Sequence, residues 1–418
     1  MMRRTDISTD TEVGANVHHL VMDIAWFGVA LPATARFLAV YAIRLDASAM
    51  LVGLLTALPA MVALLASLVA RWYRRQFPDA ARAAYWSGFG FRFLFLLPAL
   101  TPIFPAQWQT LWLLAAVSLP AFAQGLSNIM FLVMMREAVG KSHLTTVVSR
   151  RSVLFNLAFG ISTLACGLWL SNIRFPANYT SMYVLAFGAS LISLWHVGQI
   201  RVLNPEPLPP ADQPVVRAWR APGFPHVIFV ATMTHVAFFC LAPIVTLLLV
   251  EDLGAGEGFI SVFALVELLA AALMSVFTSR IVTRIGSRWT AAIGMVGCGI
   301  SGILIALSPS AVLTLPGAAL SGACWTMAAI AQFAFFSENT PSEAVTRYTT
   351  FYNQLTQLAI FIGPLVGSQL AGVFDLATVM LIGSGLRLVV GTLIPVDIFS
   401  PPRRARRPHR VRRPAVGG

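Results

Sequence analysis

Long apolar blocks, among them LWLLAAVSLPAFA at 111–123 and AAIGMVGCGISGILIAL at 291–307, recur along the chain with the charges gathered between them. No other feature restricts the fold so strongly. A water-soluble domain has nowhere to bury so many blocks, whereas a bilayer core is crossed by about 20 predominantly apolar residues. Lipid offers the backbone no hydrogen bonds, so such blocks must be helices that satisfy themselves. The overall balance agrees, with 57% hydrophobic against 11% charged residues and a mean hydropathy of +0.75. The expected class is an all-α integral membrane protein.

Twelve candidate helices lie near 19–41, 49–71, 84–103, 109–135, 152–171, 180–200, 225–250, 258–279, 289–308, 311–336, 350–371 and 376–397. An even number puts both termini on one side. Of the 29 basic residues, Arg44 and Arg174 alone fall in connectors of one parity, Arg36, Arg92 and Arg387 fall within spans, and the rest occupy connectors of the other parity and the two termini. The first set of connectors instead carries Asp46, Glu251, Asp252, Glu257 and Asp375. The positive-inside rule therefore assigns both termini to the cytoplasm, and the expected site is the plasma (inner) membrane. Arg3, Arg4, Asp6, Asp10 and Glu12 precede the first apolar block, unlike a cleaved signal peptide, so the first span is expected to be retained.

A net charge of +12 raises nucleic acid as a partner, but the arginines sit in short connectors that explain them as topology signals. The exception, PPRRARRPHRVRRP at 401–414, follows directly on an apolar segment and reads as a tail drawn to anionic lipid headgroups. Membrane lipids are thus expected partners and nucleic acid is not. Cys166, Cys240, Cys298 and Cys324 all lie in apolar blocks without metal-ligand spacing and read as small buried hydrophobes.

The proline-rich stretch RVLNPEPLPPADQPVVRAWRAPGFP at 201–225 disfavours a continuous helix and divides the chain into six spans and six. VVSRRSVLFN at 147–156 returns as AVTRYTTFYN at 344–353, so that Ser149, Arg150, Ser152, Phe155 and Asn156 face Thr346, Arg347, Thr349, Tyr352 and Asn353 at a constant offset. Both copies enter the fifth helix of their half. LPAFAQG at 119–125 is echoed by LPGAALSG at 315–322 in the fourth. Ordered echoes at equivalent places imply a duplicated six-helix unit. The division reads as a first bundle at 1–200, a cytoplasmic linker at 201–224, a second bundle at 225–397 and a basic tail at 398–418.

With this architecture the chain resembles a major facilitator superfamily transporter over essentially its whole length. The family's usual signature after the second helix is approximately G-x-x-x-D-R-x-G-R-R. Here ASLVARWYRR keeps Arg71, Arg74 and Arg75 but has Ala66, Ala70 and Tyr73 for the glycines and the acid; SRIVTRIGSR in the second half keeps Arg284, Gly286 and Arg288. Ala121 stands where many members carry an arginine four residues before Gly125, and Leu168 follows Gly167 where an antiporter signature places proline. The resemblance implies two six-helix bundles related by a pseudo-two-fold axis, around a central cavity open to alternate faces. It casts Arg71, Arg74, Arg75, Arg150, Arg284, Gly286, Arg288 and Arg347 as gating candidates at the cytoplasmic ends. The plainer reading is that these arginines only set topology.

Ionisable groups within spans are expensive unless they face protein or water. Glu267, midway along VFALVELLAAALMSVF, could take up a proton, hold a cation, meet a solute, or form a buried structural pair with an arginine. Arg36 could bind an anionic group or snorkel outward. Asp23 fits a gate, a helix-terminal contact or a coupling acid. His235 is a candidate cavity ligand, and Gln124 and Asn128 share one face of the fourth helix, where they could line the cavity or bridge helices. Arg92 and Arg387 belong to the third and twelfth spans, which in the resembled fold usually stand away from the cavity, so structural pairing or snorkelling is their expected role.

The chain contains no G-x-x-x-x-G-K-[ST] phosphate cradle, no H-E-x-x-H and no local nucleophile–base arrangement. It therefore reads as a non-enzyme without cofactor or metal: a secondary active or facilitative carrier of a small organic solute, functional as a monomer, with protons as an optional coupling partner. The competing reading is a carrier-like sensor that binds without flux.

Overall fold

The computed structural model describes residues 3–203, 223–340 and 345–396, with side chains for all of these except 3–10, 141–146, 345–347 and 350. Most of the linker, the basic tail and the Arg347 side chain lie outside the described residues. Helices dominate, as the apolar blocks require. In chain order they are α1 (Thr11–Arg44), α2 (Ala49–Arg75), α3 (Ala80–Ile103), α4 (Ala106–Gly140), α5 (Val147–Asn172), α6 (Ala177–Gly198), α7 (Phe224–Asp252), α8 (Glu257–Ile285), α9 (Ser287–Ala306) and α10 (Ala311–Glu338), followed by α11 (Val345–Ala371) and α12 (Leu376–Leu393).

Eleven of these are long and apolar enough to cross a membrane. The twelfth, α11, is long enough, but Thr349, Tyr352, Asn353, Gln354, Thr356 and Gln357 make its first half too polar to qualify by composition. Helix starts follow local capping chemistry: Asp79 and Asp375 accept from the backbone N–H groups of Arg82 and Thr378 at 2.7 and 2.9 Å. The Thr378 hydroxyl also donates to Asp375, and these hydrogen bonds hold that carboxylate below its ordinary pKa.

Two helices are broken, and they are the first of each half. In α1 the helix stops at Ala30, resumes as Pro32–Ala35, and turns again at Arg36–Phe37 before Leu38–Arg44. In α7 it stops at Phe239 and resumes at Ala242, with Pro243 in the first turn of the new piece. Proline supplies no N–H and clashes with the preceding turn, so the chain restarts at each site with proline at the tolerated N-terminal position.

The apolar core is divided unevenly. At the arginine-poor end, one cluster joins residues of both halves, including Phe37, Tyr41 and Tyr179 with Leu241, Ile244 and Ile260. At the arginine-rich end there are two clusters: Leu20, Met134, Val147 and Val197 belong to the first half, and Phe224, Met295, Phe335 and Tyr348 to the second. The halves are thus one body at one end and two at the other. Their seams in the joined region are closed by glycines. A Cβ on Gly53 of α2 would lie 2.0 Å from the Ser368 hydroxyl of α11, and one on Gly167 of α5 would lie 2.3 Å from that of Ser261 in α8. Only a residue without a side chain permits these approaches.

Candidate functional site

Both helix breaks open onto a cavity of about 470 Å³ between the halves. Arg36, presented by the turn that interrupts α1, reaches across it and donates to Glu267 of α8 at 2.9 Å. The two side chains keep 29% and 20% of their exposure, so the pair faces the cavity instead of sealed protein. Two of the sequence candidates are therefore partners, with the guanidinium from one half and the carboxylate from the other. Phe159 lies 5.8 Å from the Arg36 guanidinium, and the hydroxyls of Thr34, Thr56, Thr326 and Ser321 supply further polar groups to the cavity.

The α7 break is held by Arg387 of α12. Its guanidinium donates to the carbonyls of Ala237 and Phe238 at 3.1 and 2.7 Å, and to that of Cys298 at 3.1 Å. These α7 carbonyls lie where the helix stops, and the guanidinium adds donors to carbonyls at the helix end. Arg387 is buried, lines the cavity, and has no carboxylate within ion-pair distance among the described residues. Phe238 stacks on Trp325 of α10 at 3.7 Å, giving the cavity an aromatic wall. His235 stands behind that wall, 5.4 Å from the Trp325 ring, with Nδ1 2.8 Å from the Ala231 carbonyl.

Above the cavity, towards the arginine-poor end, a second ion pair crosses between the halves. Arg44 donates to both oxygens of Glu257, at 2.9 and 3.1 Å, and the Tyr179 hydroxyl donates to the same carboxylate at 3.2 Å. Tyr179 stacks on Tyr41 at 4.4 Å. Sequence reasoning counted Arg44 and Glu257 only as connector charges; their partnership carries no local sequence signal.

The other candidates lie elsewhere. Asp23 sits inside the first bundle, accepting from Ser193 at 2.6 Å and Arg151 at 3.2 Å, with Arg92 at 3.8 Å. Arg92 also donates to Ser193 at 2.7 Å, the structural pairing expected of it. Arg151, adjacent to the Arg150 singled out from the repeat, is the residue that turns inward, while Arg150 is exposed. Gln124 is half-buried and Asn128 exposed, and neither lines the cavity.

At the arginine-rich end, Arg74 donates to the Phe77 carbonyl and lies 3.8 Å from Glu137 at the end of α4. The second half places Glu338 at the corresponding end of α10, where it accepts from Ser287 at 2.6 Å. Arg71 is half-buried, whereas Arg75 and Arg284 are exposed. Arg288 lies 4.8 Å from the Phe335 ring, and Gly286 turns the chain with φ +85°. Glu137 and Glu338 escaped the sequence reading, although each ends the helix carrying the LP echo. No group of three His, Cys, Asp or Glu residues among the described side chains is placed to hold a metal.

No curated protein matches the chain in sequence. Residues 227–416 match the family model described as Major Facilitator Superfamily. Among solved structures, a mutant of the nucleoside transporter NupG is similar with a TM-score of 0.73 at 11% identity, covering 91% of this chain and 99% of that one. An auto-inhibited POT family peptide transporter gives 0.72 at 12%, with 93% and 99% covered. A bacterial homologue of the iron transporter ferroportin in an inward-facing state gives 0.68 at 13%, with 91% and 98% covered. At such identities the likeness is one of fold, and it extends over both halves, including the first, which lies outside the family-model match. The chain is a multi-pass membrane protein with the fold of these transporter structures, and its second half matches the major facilitator superfamily model.

Proposed function

We propose that the chain carries a small organic solute across the plasma membrane by alternating access, and that the conformation described is the one open towards the cytoplasm. The observation that supports this most is the unequal core: both halves share one apolar cluster at the arginine-poor end and keep separate clusters at the arginine-rich end, which the positive-inside rule assigns to the cytoplasm. An arrangement joined at one end and divided at the other suits a rocking of two rigid bundles about a site near the midplane. The broken helices α1 and α7 supply that site, and transporters in the similar structures share the fold.

On this reading the Arg44–Glu257 pair and the glycine seams close the far side. Arg71, Arg74, Arg75, Arg150, Arg284, Arg288 and Arg347 are the groups available to close the cytoplasmic side in the opposite state, with Gly286 as a turn. Glu267 is the residue through which protons would couple to solute movement, because it accepts from Arg36 at the cavity and a neutral carboxyl would release that partner. One chain supplies the whole pathway, so a monomer suffices.

The test is flux in proteoliposomes under an imposed proton gradient, comparing the native protein with Glu267→Gln for a solute first chosen by thermal stabilisation of the purified protein. Gradient-driven accumulation lost in the variant supports coupling through Glu267. Gradient-independent flux in both leaves a uniporter, and binding with no flux in either direction replaces the carrier by a sensor.

A further inference from the structure

The charges lining the cavity do not balance. Two guanidiniums, Arg36 and Arg387, face one carboxylate, Glu267, and among the described residues no other charged side chain lines the space. Glu267 is engaged by Arg36. Arg387 is satisfied as a hydrogen-bond donor by three carbonyls, but carbonyl dipoles cancel no net charge, and its side chain is buried among Cys298, Phe238 and the α7 break. Holding two cations against one shared carboxylate is costly, and the cost falls when a mobile group of opposite sign enters. The remaining titratable groups around Glu267 do not supply that sign: α9 and α10 bring the thiols of Cys298 and Cys324, and His235 is screened behind Trp325.

We propose that the solute is an organic monoanion with a flat apolar body. Its acid group sits among Arg36, Arg387 and the cavity hydroxyls, and its body lies against the Trp325–Phe238 wall. A volume of about 470 Å³ is within the range of small-molecule pockets, and stacked aromatic side chains with a few convergent polar groups are what a planar solute of this kind would use. Arg36 is the more accessible of the two cations, and its bond to Glu267 is the contact that an entering anion weakens. This inference rests on the reading of the cavity as the transport site, but it concerns the sign of the solute's charge, which transport alone does not fix.

Four probes of matched size separate the alternatives: benzenesulfonate, benzamide, benzylamine and phenylalanine, respectively anionic, neutral, cationic and zwitterionic near neutral pH. Each is offered to the full-length protein in detergent while thermal stability is followed, and then to proteoliposomes for flux. Benzenesulfonate is expected to stabilise the native protein most. Arg36→Gln should weaken that binding at least tenfold. Glu267→Gln, which removes the competitor on Arg36, should tighten it severalfold; this gain remains readable if Arg36→Gln does not fold. Preference for benzylamine, benzamide or phenylalanine, or stabilisation by none of the four, overturns the anion assignment. So does weaker benzenesulfonate binding in Glu267→Gln. If phenylalanine or benzylamine is moved while benzenesulfonate is ignored, the carrier reading stands without the anion. Arg36-dependent benzenesulfonate binding with no flux in either direction leaves the anion site and removes the carrier.

Discussion

Arg36 and Glu267 are separated by 231 residues and meet at 2.9 Å across the line that divides the two halves. Their bond joins bundle to bundle at the cavity wall, so its strength depends on whatever else occupies the cavity. Exchanging the two charges in an Arg36→Glu, Glu267→Arg double variant should restore most of the thermal stability lost by either single reversal. The restored pair would present its charges to the solute in reverse, so solute binding should stay at least tenfold weaker than native. Melting temperature and ligand-induced stabilisation read the two effects separately.

The Arg44–Glu257 pair serves the far side with no cavity group attached. Glu257→Gln leaves Arg44 and Tyr179 with a neutral partner and should loosen that side by about 1.5–3 kcal/mol, the range for hydrogen bonds to charged groups. The expected signature is a shift of conformational population towards the far-side-open state, measured as spin-label distances between α1 and α8 at that end. Unchanged distances would make the pair a passive surface contact.

Gly167 of α5 packs against Ser261 of α8 with no space for a side chain. Gly167→Leu should prevent the far side from closing, leaving a folded protein whose flux falls at least tenfold. Gly188 of α6 has open space around its missing Cβ, so Gly188→Ala is the control and should leave flux within about twofold. Equal behaviour of the two variants would argue against the seam.

Asp23 lies among Arg151, Arg92 and Ser193 within one bundle. Asp23→Asn leaves the buried Arg92 and the half-buried Arg151 without their carboxylate, and the loss should approach the roughly 3–5 kcal/mol typical of a broken buried ion pair. Its proper readout is the denaturation midpoint of the purified protein. Any solute-binding change in the surviving folded fraction should be less than threefold, because no member of the network lines the cavity.

Orientation has its own test. Arg150 is exposed at the arginine-rich end, while Cys240, Cys298 and Cys324 are buried and Cys166 is half-buried. Arg150→Cys should react with a membrane-impermeant maleimide in inside-out vesicles and remain unlabelled in intact cells. The reverse pattern would invert the assigned topology.

The helices were legible because hydrocarbon demands long apolar runs, and the halves were legible because the Ser149–Asn156 stretch is echoed by Thr346–Asn353 at a constant offset across a proline-rich divide. Glu267 and Arg36 stood out as charges within spans, but their pairing depends on how the bundles dock, which no local pattern encodes. Pro32 and Pro243 were visible in the first helix of each half and passed unread, although proline in such a place marks a restart of the helix. Arg44 and Glu257 were hidden for a different reason: at a helix end a charge is costless to explain, so its partner is not sought. The choice between Arg150 and Arg151 was beyond sequence reasoning, since which neighbour turns inward follows from the rotation of α5 against α1.

The two apolar clusters at the arginine-rich end contain members of one half each, while only the far-end cluster mixes them. Each half therefore owns a complete stabilising nucleus that does not ask the other for side chains. Severing the chain between residues 203 and 223 and producing the two pieces together should yield fragments that insert independently and then clasp at their shared end. The molecule would then be available as a split pair, whose reassociation reports directly on how firmly the far side closes.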